Sequence, residues 1–266
     1  GVVAAVVDPG VPSYAFSNAL IVIGEDGVLV VDTHQSPRPA LEVIREIRRR
    51  TPLPVRWVVA THWHPDHVWG NQVYADTFPG ARIIATAPTR DSLAAGWDRQ
   101  VAEQREQTLG SRARLETMLA EEADPTRRAR IEAAIGVRSR YLRDLDGLRR
   151  VPFDLTVTDT LRLDLGGRVA FLIHVGPAHT PGDLVVHLPG SGVTAVGDLV
   201  EEDGLWLEGA DPAGWVRALD RVLALGPRAV LPGHGAVQHD LALVRAQLEE
   251  LAAVPVDTAT GGPPRR

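Results

Sequence analysis

One heptapeptide, Thr61–His67, reads THWHPDH and carries more chemical information than any other part of the chain. It sets three imidazoles and one carboxylate within six residues, directly after the apolar, strand-like run Val55–Ala60. Neutral imidazole nitrogen and carboxylate oxygen are ligand types that a borderline metal such as zinc prefers. The one-residue gaps let the side chains converge where the chain leaves a strand. The sequence therefore predicts a metal site at this strand end.

The same chemistry recurs beside glycine or proline at the ends of three later apolar runs. His179 lies in Gly176–Asp183, which reads GPAHTPGD, Asp198 ends a Val-Gly-Asp, and His234 lies in a Pro-Gly-His-Gly. Small residues allow a close backbone approach and a sharp turn, so side chains from different strand ends can reach one point. We expect these groups to join the first cluster.

The four pieces, in this order, resemble the metallo-β-lactamase superfamily over roughly residues 19 to 245. In that family an HxHxDH motif, a later His, a Gly-Asp and a Gly-His-Gly form a two-metal site. The resemblance implies an α/β fold, the four-layered αβ/βα sandwich, here with a helical insertion. It also implies a binuclear zinc hydrolase with two Zn²⁺ per chain, although iron or manganese would suit the same ligands.

The resemblance assigns a role to each of these side chains. The implied ligands form two sets with one bridge: His62, His64 and His179 for one zinc, Asp66, His67 and His234 for the second, and Asp198 between them. Three protein ligands, a bridge and a water leave each ion an open position, as catalytic zinc requires. Two such ions lower the pKa of a shared hydroxide, the expected nucleophile. Asp66 is the expected catalytic residue, which orients that nucleophile or passes on its proton.

Four further residues are predicted to border or support this site. Asp32 matches the strand-end aspartate of the family, and metal-bound imidazoles usually need an oriented acceptor on their other nitrogen. His34 lies near the same edge, and Trp63 and Trp69 flank the ligands. For these three, a wall of the substrate pocket and a purely structural position both remain open. Asp183 is expected to be structural.

Composition and charge are those of a globular enzyme. The chain has 266 residues, is 44% apolar and has a net charge of −6, and all its basic residues are arginine. We expect a small-molecule acyl substrate and no nucleic-acid partner. Cysteine is absent, so no thiolate ligates the metals. No apolar run reaches about 18–20 residues, so no membrane span is predicted. A cytoplasmic location is the default, a periplasmic or secreted one after removal of a leader stays open, and the oligomeric state is not indicated.

Strand and helix patterns repeat in two halves of one predicted domain, residues 1–266. The predicted strands are 2–7, 19–24, 27–31, 55–60, 161–164, 168–175, 184–188, 193–196 and 229–231, and the predicted helices are 37–50, 212–225 and 238–251. In the first helix we expect Leu41, Ile44 and Ile47 to share the buried face. A short tail is expected at about 256–266.

Between the halves, at about 91–150, apolar residues recur at helical spacing and predict an inserted set of three helices. Asp124 and Pro125 fit an N-cap followed by a first-turn proline. This insertion is either packed decoration or a lid that shapes the substrate pocket, and the sequence does not orient it.

The expected reaction is cleavage of an activated acyl bond in a lactone, ester or thioester. In the family that the sequence resembles, zinc lactamases usually carry Cys or Ser where Asp198 stands. The carboxylate therefore favours the broader branch of hydrolases that act on thioesters, lactones and related esters. Weak or real β-lactamase activity is compatible with it. The alternatives are a metallo-β-lactamase proper and an iron-dependent redox enzyme similar to persulfide dioxygenases.

Overall fold

The computed structural model describes residues 1–5, 16–202 and 204–254. The strands are β1 Val2–Ala5, β2 Ala19–Ile23, β3 Val28–Val31, β4 Val55–Val59, β5 Arg82–Thr86, β6 Leu155–Val157, β7 Thr160–Asp164, β8 Val169–Gly176, β9 Asp183–Leu188, β10 Val193–Gly197 and β11 Ala229–Pro232. The helices are α1 Pro37–Arg50, α2 Pro65–Val68, α3 Asn71–Thr77, α4 Ala87–Glu121, α5 Pro125–Asp146, α6 Pro212–Ala224 and α7 Ala242–Ala252.

Two mixed sheets pack face to face with helices on their outer sides, which confirms the predicted αβ/βα sandwich. One sheet has the order β1-β2-β3-β4-β5-β6 and the other β11-β10-β9-β8-β7. Alternation along β2 explains the layers, since successive side chains of a strand point to opposite faces. Leu20 and Val22 join the core between the sheets, whereas Ala19 and Ile21 join the cluster under α1. Both faces of this strand are therefore apolar.

The helix α1 has the predicted bounds but a different buried face. Ala40, Val43, Ile44 and Ile47 are buried, at the spacing of one helical stripe, whereas Leu41 is 40% exposed. Leu41 follows Ala40 by one residue, about 100° around the helix, so it leaves that stripe. The prediction for Leu41 was wrong, and those for Ile44 and Ile47 are confirmed.

Four elements between β4 and β7 were not predicted, and one predicted helix begins later. The four elements are α2, α3, β5 and β6. β5 pairs in parallel with both β4 and β6, and its apolar residues are almost completely buried. The last helix begins at Ala242 rather than Gln238, because Gln238 forms an antiparallel bridge with Val230. The predicted tail lies outside the described residues.

The insertion consists of two long helices, α4 and α5, instead of the predicted three. One uninterrupted 35-residue helix, which runs through Gly110 without a break, carries two apolar groups that the sequence suggested on separate helices: Leu93, Trp97 and Val101, and Leu115, Met118 and Leu119. A single glycine costs a helix only about 1 kcal/mol, which packing readily overcomes. The predicted start of α5 is confirmed, because the side chain of Asp124 accepts a hydrogen bond from the Arg127 N–H at 2.8 Å.

Over the described ranges, none of the helices combines the length and the apolar character needed to cross a membrane.

Candidate metal centre

Loops at one edge of the sandwich gather the seven groups singled out by the sequence. The heptapeptide follows β4, His179 lies in the turn between β8 and β9, Asp198 follows β10, and His234 follows β11. The ligand-type atoms fall into two groups, and within each group they all lie within 4.8 Å of one another. The first group is His62, His64, His179 and Asp198, and the second is Asp66, His67 and His234.

Three imidazoles and one carboxylate converge in the first group. His179 Nε2 lies 3.1 Å from His64 Nδ1. Asp198 Oδ2 lies 3.6 Å from His62 Nε2 and 3.8 Å from His179 Nε2. These spacings place four donor atoms around one common point.

The second group lies close to the same aspartate. His234 Nε2 lies 2.9 Å and His67 Nε2 3.4 Å from Asp66 Oδ2. Asp198 Oδ1 lies 3.2 Å from His67 Nε2, and Asp198 Oδ2 lies 3.6 Å from His234 Nε2. Asp198 thus lies close to donor atoms of both groups.

Two glycines make this convergence sterically feasible. A Cβ atom on Gly197, whose φ is +55°, would lie 2.5 Å from Thr61 Oγ1. A Cβ on Gly233 would lie 1.8 Å from Asp198 Oδ1 and 2.9 Å from His67 Cε1. The Gly-Asp and Gly-His-Gly motifs therefore use glycine because these strand ends pass directly against the cluster.

Asp32 forms three hydrogen bonds with the heptapeptide. Its carboxylate accepts hydrogen bonds from the Thr61 N–H at 2.8 Å, the Thr61 hydroxyl at 2.9 Å and His67 Nδ1 at 2.8 Å. The Thr61 oxygen in turn lies 3.1 Å from His62 Nδ1. Because both Nδ1 atoms are engaged, His62 and His67 direct Nε2 at the cluster.

Charge within the cluster is strongly coupled. Burial holds the pKa of His62 well below its usual value. Burial alone would raise the pKa of Asp66 and Asp198, but the charge of His67 lowers it well below the usual range. Burial likewise opposes protonation of His234, yet its bonds to Asp198 and Asp66 raise its pKa to about 10. The two carboxylates thus demand positive charge here, and a divalent cation supplies it when it displaces those protons.

The polar atoms that remain without partners fit a metal. Among the described residues, His62 Nε2, His67 Nε2 and Asp198 Oδ1 are buried and have no hydrogen-bond partner. Buried polar atoms of native proteins are normally satisfied by protein, water or an ion. All three face the cluster, and an imidazole-carboxylate donor set suits zinc. The residues present therefore fit one or two divalent ions.

His34, Trp63 and Trp69, the residues predicted to border the pocket, are not part of the described cleft lining. His34 is 4% exposed, takes a φ of +67° and packs edge-on against Phe16. Trp69 is 1% exposed and its ring centroid lies 5.6 Å from that of Trp97 in α4. Trp63 joins the same apolar cluster, under the insertion.

An open cleft of about 420 Å³ leads to the cluster. Its lining consists of Gln35, His64, Pro65, Asp66, Gln104, His179, Asp198, Glu201, Trp206 and His234. Sequence analysis missed Gln35, Gln104, Glu201 and Trp206, which belong to none of the motifs. Gln104 belongs to α4, so the insertion contributes to the cleft wall. Burial, followed by the charge of Asp198, raises the pKa of Glu201 to about 8.

Comparison with known proteins identifies relatives of this architecture. A family model described as the metallo-β-lactamase superfamily matches residues 13–234. A curated relative, the linear primary-alkylsulfatase of Pseudomonas sp. (strain ATCC 19151), is 26% identical over 231 residues. That match covers 79% of this chain but 40% of the relative, so the chain spans less than half of that protein's length.

Solved structures show the same fold at low sequence identity. A metallo-β-lactamase from Pontibacter korlensis has a TM-score of 0.64 and 21% identity, over 89% of this chain and 87% of that one. The DIM-1 metallo-β-lactamase has a TM-score of 0.60 and 21% identity, over 89% and 86% of the two chains. At this identity the likeness establishes the fold and leaves the substrate undetermined.

Proposed function

This chain belongs to the metallo-β-lactamase superfamily, and from that premise we propose that it is a binuclear zinc hydrolase of activated acyl bonds. The observation that carries the proposal is Asp198, which faces two groups of ligand-type atoms at once. His62, His64 and His179 would hold one ion, Asp66, His67 and His234 the second, and Asp198 would join them. Bound zinc supplies a hydroxide nucleophile and an electrophile for the substrate carbonyl oxygen.

The protein's own residues orient and assist this chemistry. Asp66 lines the cleft, and its side chain is 23% exposed, so it reaches a substrate or water there. We assign it the proton-transfer or water-orienting role, which a positioned carboxylate performs with a gain of about a hundredfold or more. Asp32 and Thr61 fix the two imidazoles behind it, so the ligand geometry is preformed.

The leaving group decides which acyl bonds suit such a site. Lactones, aryl esters and thioesters release oxygen or sulfur leaving groups that need little acid assistance. A β-lactam needs a proton delivered to nitrogen, which places a greater demand on Asp66. We expect kcat/KM for the lactone, ester or thioester to exceed that for a β-lactam by at least about tenfold. Gln104 makes the insertion one determinant of the acyl group that fits.

A second candidate is hydrolysis of a sulfate ester of a primary alcohol. Its specific support is the 26% identity to a protein named as a linear primary-alkylsulfatase. The limited coverage of that relative keeps this candidate behind the acyl hydrolase.

A substrate panel on zinc-loaded protein separates these functions. It holds a lactone, a thioester, an aryl ester, a chromogenic β-lactam, a phosphodiester and a primary alkyl sulfate, each measured with metal content determined in parallel. The proposal requires the best substrate to be one of the first three. A β-lactam, an alkyl sulfate or the phosphodiester as the best substrate overturns it, and hydrolysis that follows bound iron instead of zinc overturns the zinc assignment alone.

A further inference from the structure

The described lining of the cleft includes five residues besides the ligand-type groups. These lining residues are Gln35, Pro65, Gln104, Glu201 and Trp206, and none of them is arginine or lysine. A carboxyl group is either neutral or anionic, so Glu201 supplies no positive charge at any pH. Over the described part of the chain, the walls beyond the metal edge therefore offer amide groups, a carboxyl group and an indole, but no cation.

Trp206 is the apolar component of this wall. It is 58% exposed, although an indole is normally buried or covered by a partner. Its place in the cleft lining brings that exposed surface next to the entrance of the metal site. The neighbouring Leu207 is 41% exposed, which extends the apolar surface at this loop.

Several contacts anchor the loop that carries Trp206. Before it, the Glu201 N–H donates to Gln247 Oε1 at 3.1 Å, and Glu202 Oε1 accepts from Gln238 Nε2 at 2.7 Å. After it, the Asp211 N–H donates to the Ala178 carbonyl oxygen at 2.7 Å, in the turn that holds His179. The exposed indole is therefore held at the cleft by fixed loop ends.

Glu201 links this loop to the metal centre. Its Oε1 lies 3.7 Å from His179 Nδ1, a charge-type contact just beyond hydrogen-bond distance. The side chain of Glu201 is 15% exposed, so this link is largely shielded from water. The loop that carries the indole thus also places a carboxyl group beside a proposed zinc ligand.

We infer that the cleft selects esters with an uncharged apolar acyl chain, which packs on the Trp206 indole, and disfavours acyl chains that end in a carboxylate. The inference rests on the proposed acyl-hydrolase function. The metal edge takes the scissile carbonyl, so a second, distal carboxylate would face the walls. There it would lose water without gaining a cationic partner, which makes its burial unfavourable.

Two matched substrates test this selectivity on zinc-loaded protein: 4-nitrophenyl hexanoate and mono-4-nitrophenyl adipate, which have acyl chains of equal length. We expect kcat/KM for the hexanoate to exceed that for the adipate by at least about tenfold, the scale on which pocket contacts discriminate. Trp206→Ala should lower the hexanoate value mainly through KM and leave the adipate value little changed. Trp206→Arg, which adds the missing cation, should shift the ratio toward the adipate.

The control is Met118→Ala, which removes another exposed apolar side chain, 55% exposed, from α4. It lies fourteen residues beyond Gln104, about 21 Å along the helix axis. We expect both kcat/KM values to stay unchanged. Equal values for the two esters in the wild type, or a Trp206→Ala effect no larger than that of Met118→Ala, would overturn the inference.

If no ester is hydrolysed, the proposed function fails but the selectivity of the cleft can still be tested by binding. Hexanohydroxamic acid and adipic acid monohydroxamic acid both present a zinc-chelating head and differ at the far end of the chain. Calorimetry should give a Kd at least about tenfold lower for the uncharged ligand, and Trp206→Ala should remove most of that difference. Equal dissociation constants would refute the selectivity itself.

Discussion

The metal edge and the helical insertion show two ways in which a chain specifies a functional surface. At the metal edge, the side chains of Thr61, Asp198 and His67 leave no room even for a Cβ at Gly197 or Gly233. Buried hydrogen bonds hold the imidazoles of His62 and His67. In the insertion, five of the 35 residues of α4 are buried, and Gln104 lines the cleft from an otherwise largely exposed helix. Close contacts and buried hydrogen bonds fix individual side chains at the metal edge, whereas the few buried residues of α4 fix mainly the position of the helix as a whole.

This contrast predicts that single-atom changes at the metal edge have the largest effects. Asp66→Asn should lower kcat by at least about a hundredfold, because it removes the proposed proton-transfer group. Asp198→Asn should instead reduce metal retention, and excess zinc should partly restore its activity. Steady-state kinetics with and without added zinc distinguishes the two variants. Equal losses that zinc leaves unchanged would show that the two roles are wrongly assigned.

A smaller effect is expected one contact further from the cluster. Asp32→Asn keeps a residue type that tolerates the φ of +62° but weakens the acceptor for His67 and Thr61. Zinc affinity should fall by about 10- to 100-fold while the protein stays folded. Competition with a chromophoric chelator measures the affinity. The control is Asp154→Asn, since Asp154 accepts from the Ile83 N–H in a different loop. A similar loss of affinity in the control would remove the special role of Asp32.

In the insertion, substitutions should change stability by small amounts that depend on local packing. Two glycines of α4 provide a matched pair for testing this. A Cβ on Gly96 would lie 2.7 Å from the Trp63 ring, whereas one on Gly110 would meet only Arg114 Nη1, at 3.6 Å. Gly110→Ala should stabilise α4 by up to about 1 kcal/mol, and Gly96→Ala should cost about 1–3 kcal/mol. Denaturant unfolding measures both. If Gly96→Ala also stabilises the protein, the insertion is not packed tightly on the histidine loop.

The same contrast explains what could be predicted from sequence. The seven ligand-type groups lie in short motifs whose spacing itself carries the chemistry, so their convergence was predictable. The strand β5, RIIAT, was not predicted because it runs directly into α4, and periodicity alone does not distinguish a short apolar strand from a buried helix segment. Gln104 and Trp206 could not be predicted, because their place in the cleft depends on how α4 and the loop after Asp198 dock in three dimensions. Residues within one motif can be predicted from their spacing in the sequence, whereas residues of a pocket wall can be predicted only from the tertiary structure.

The most direct test of the central claim is the amount of metal bound per chain. Protein purified with zinc should contain two ions, and removing them with a chelator should abolish hydrolysis while most of the sandwich stays folded, because the core between the sheets does not depend on them. Elemental analysis, activity and circular dichroism on the same samples provide the three readings. A saturated content of one ion or fewer together with full activity would contradict the two-metal account.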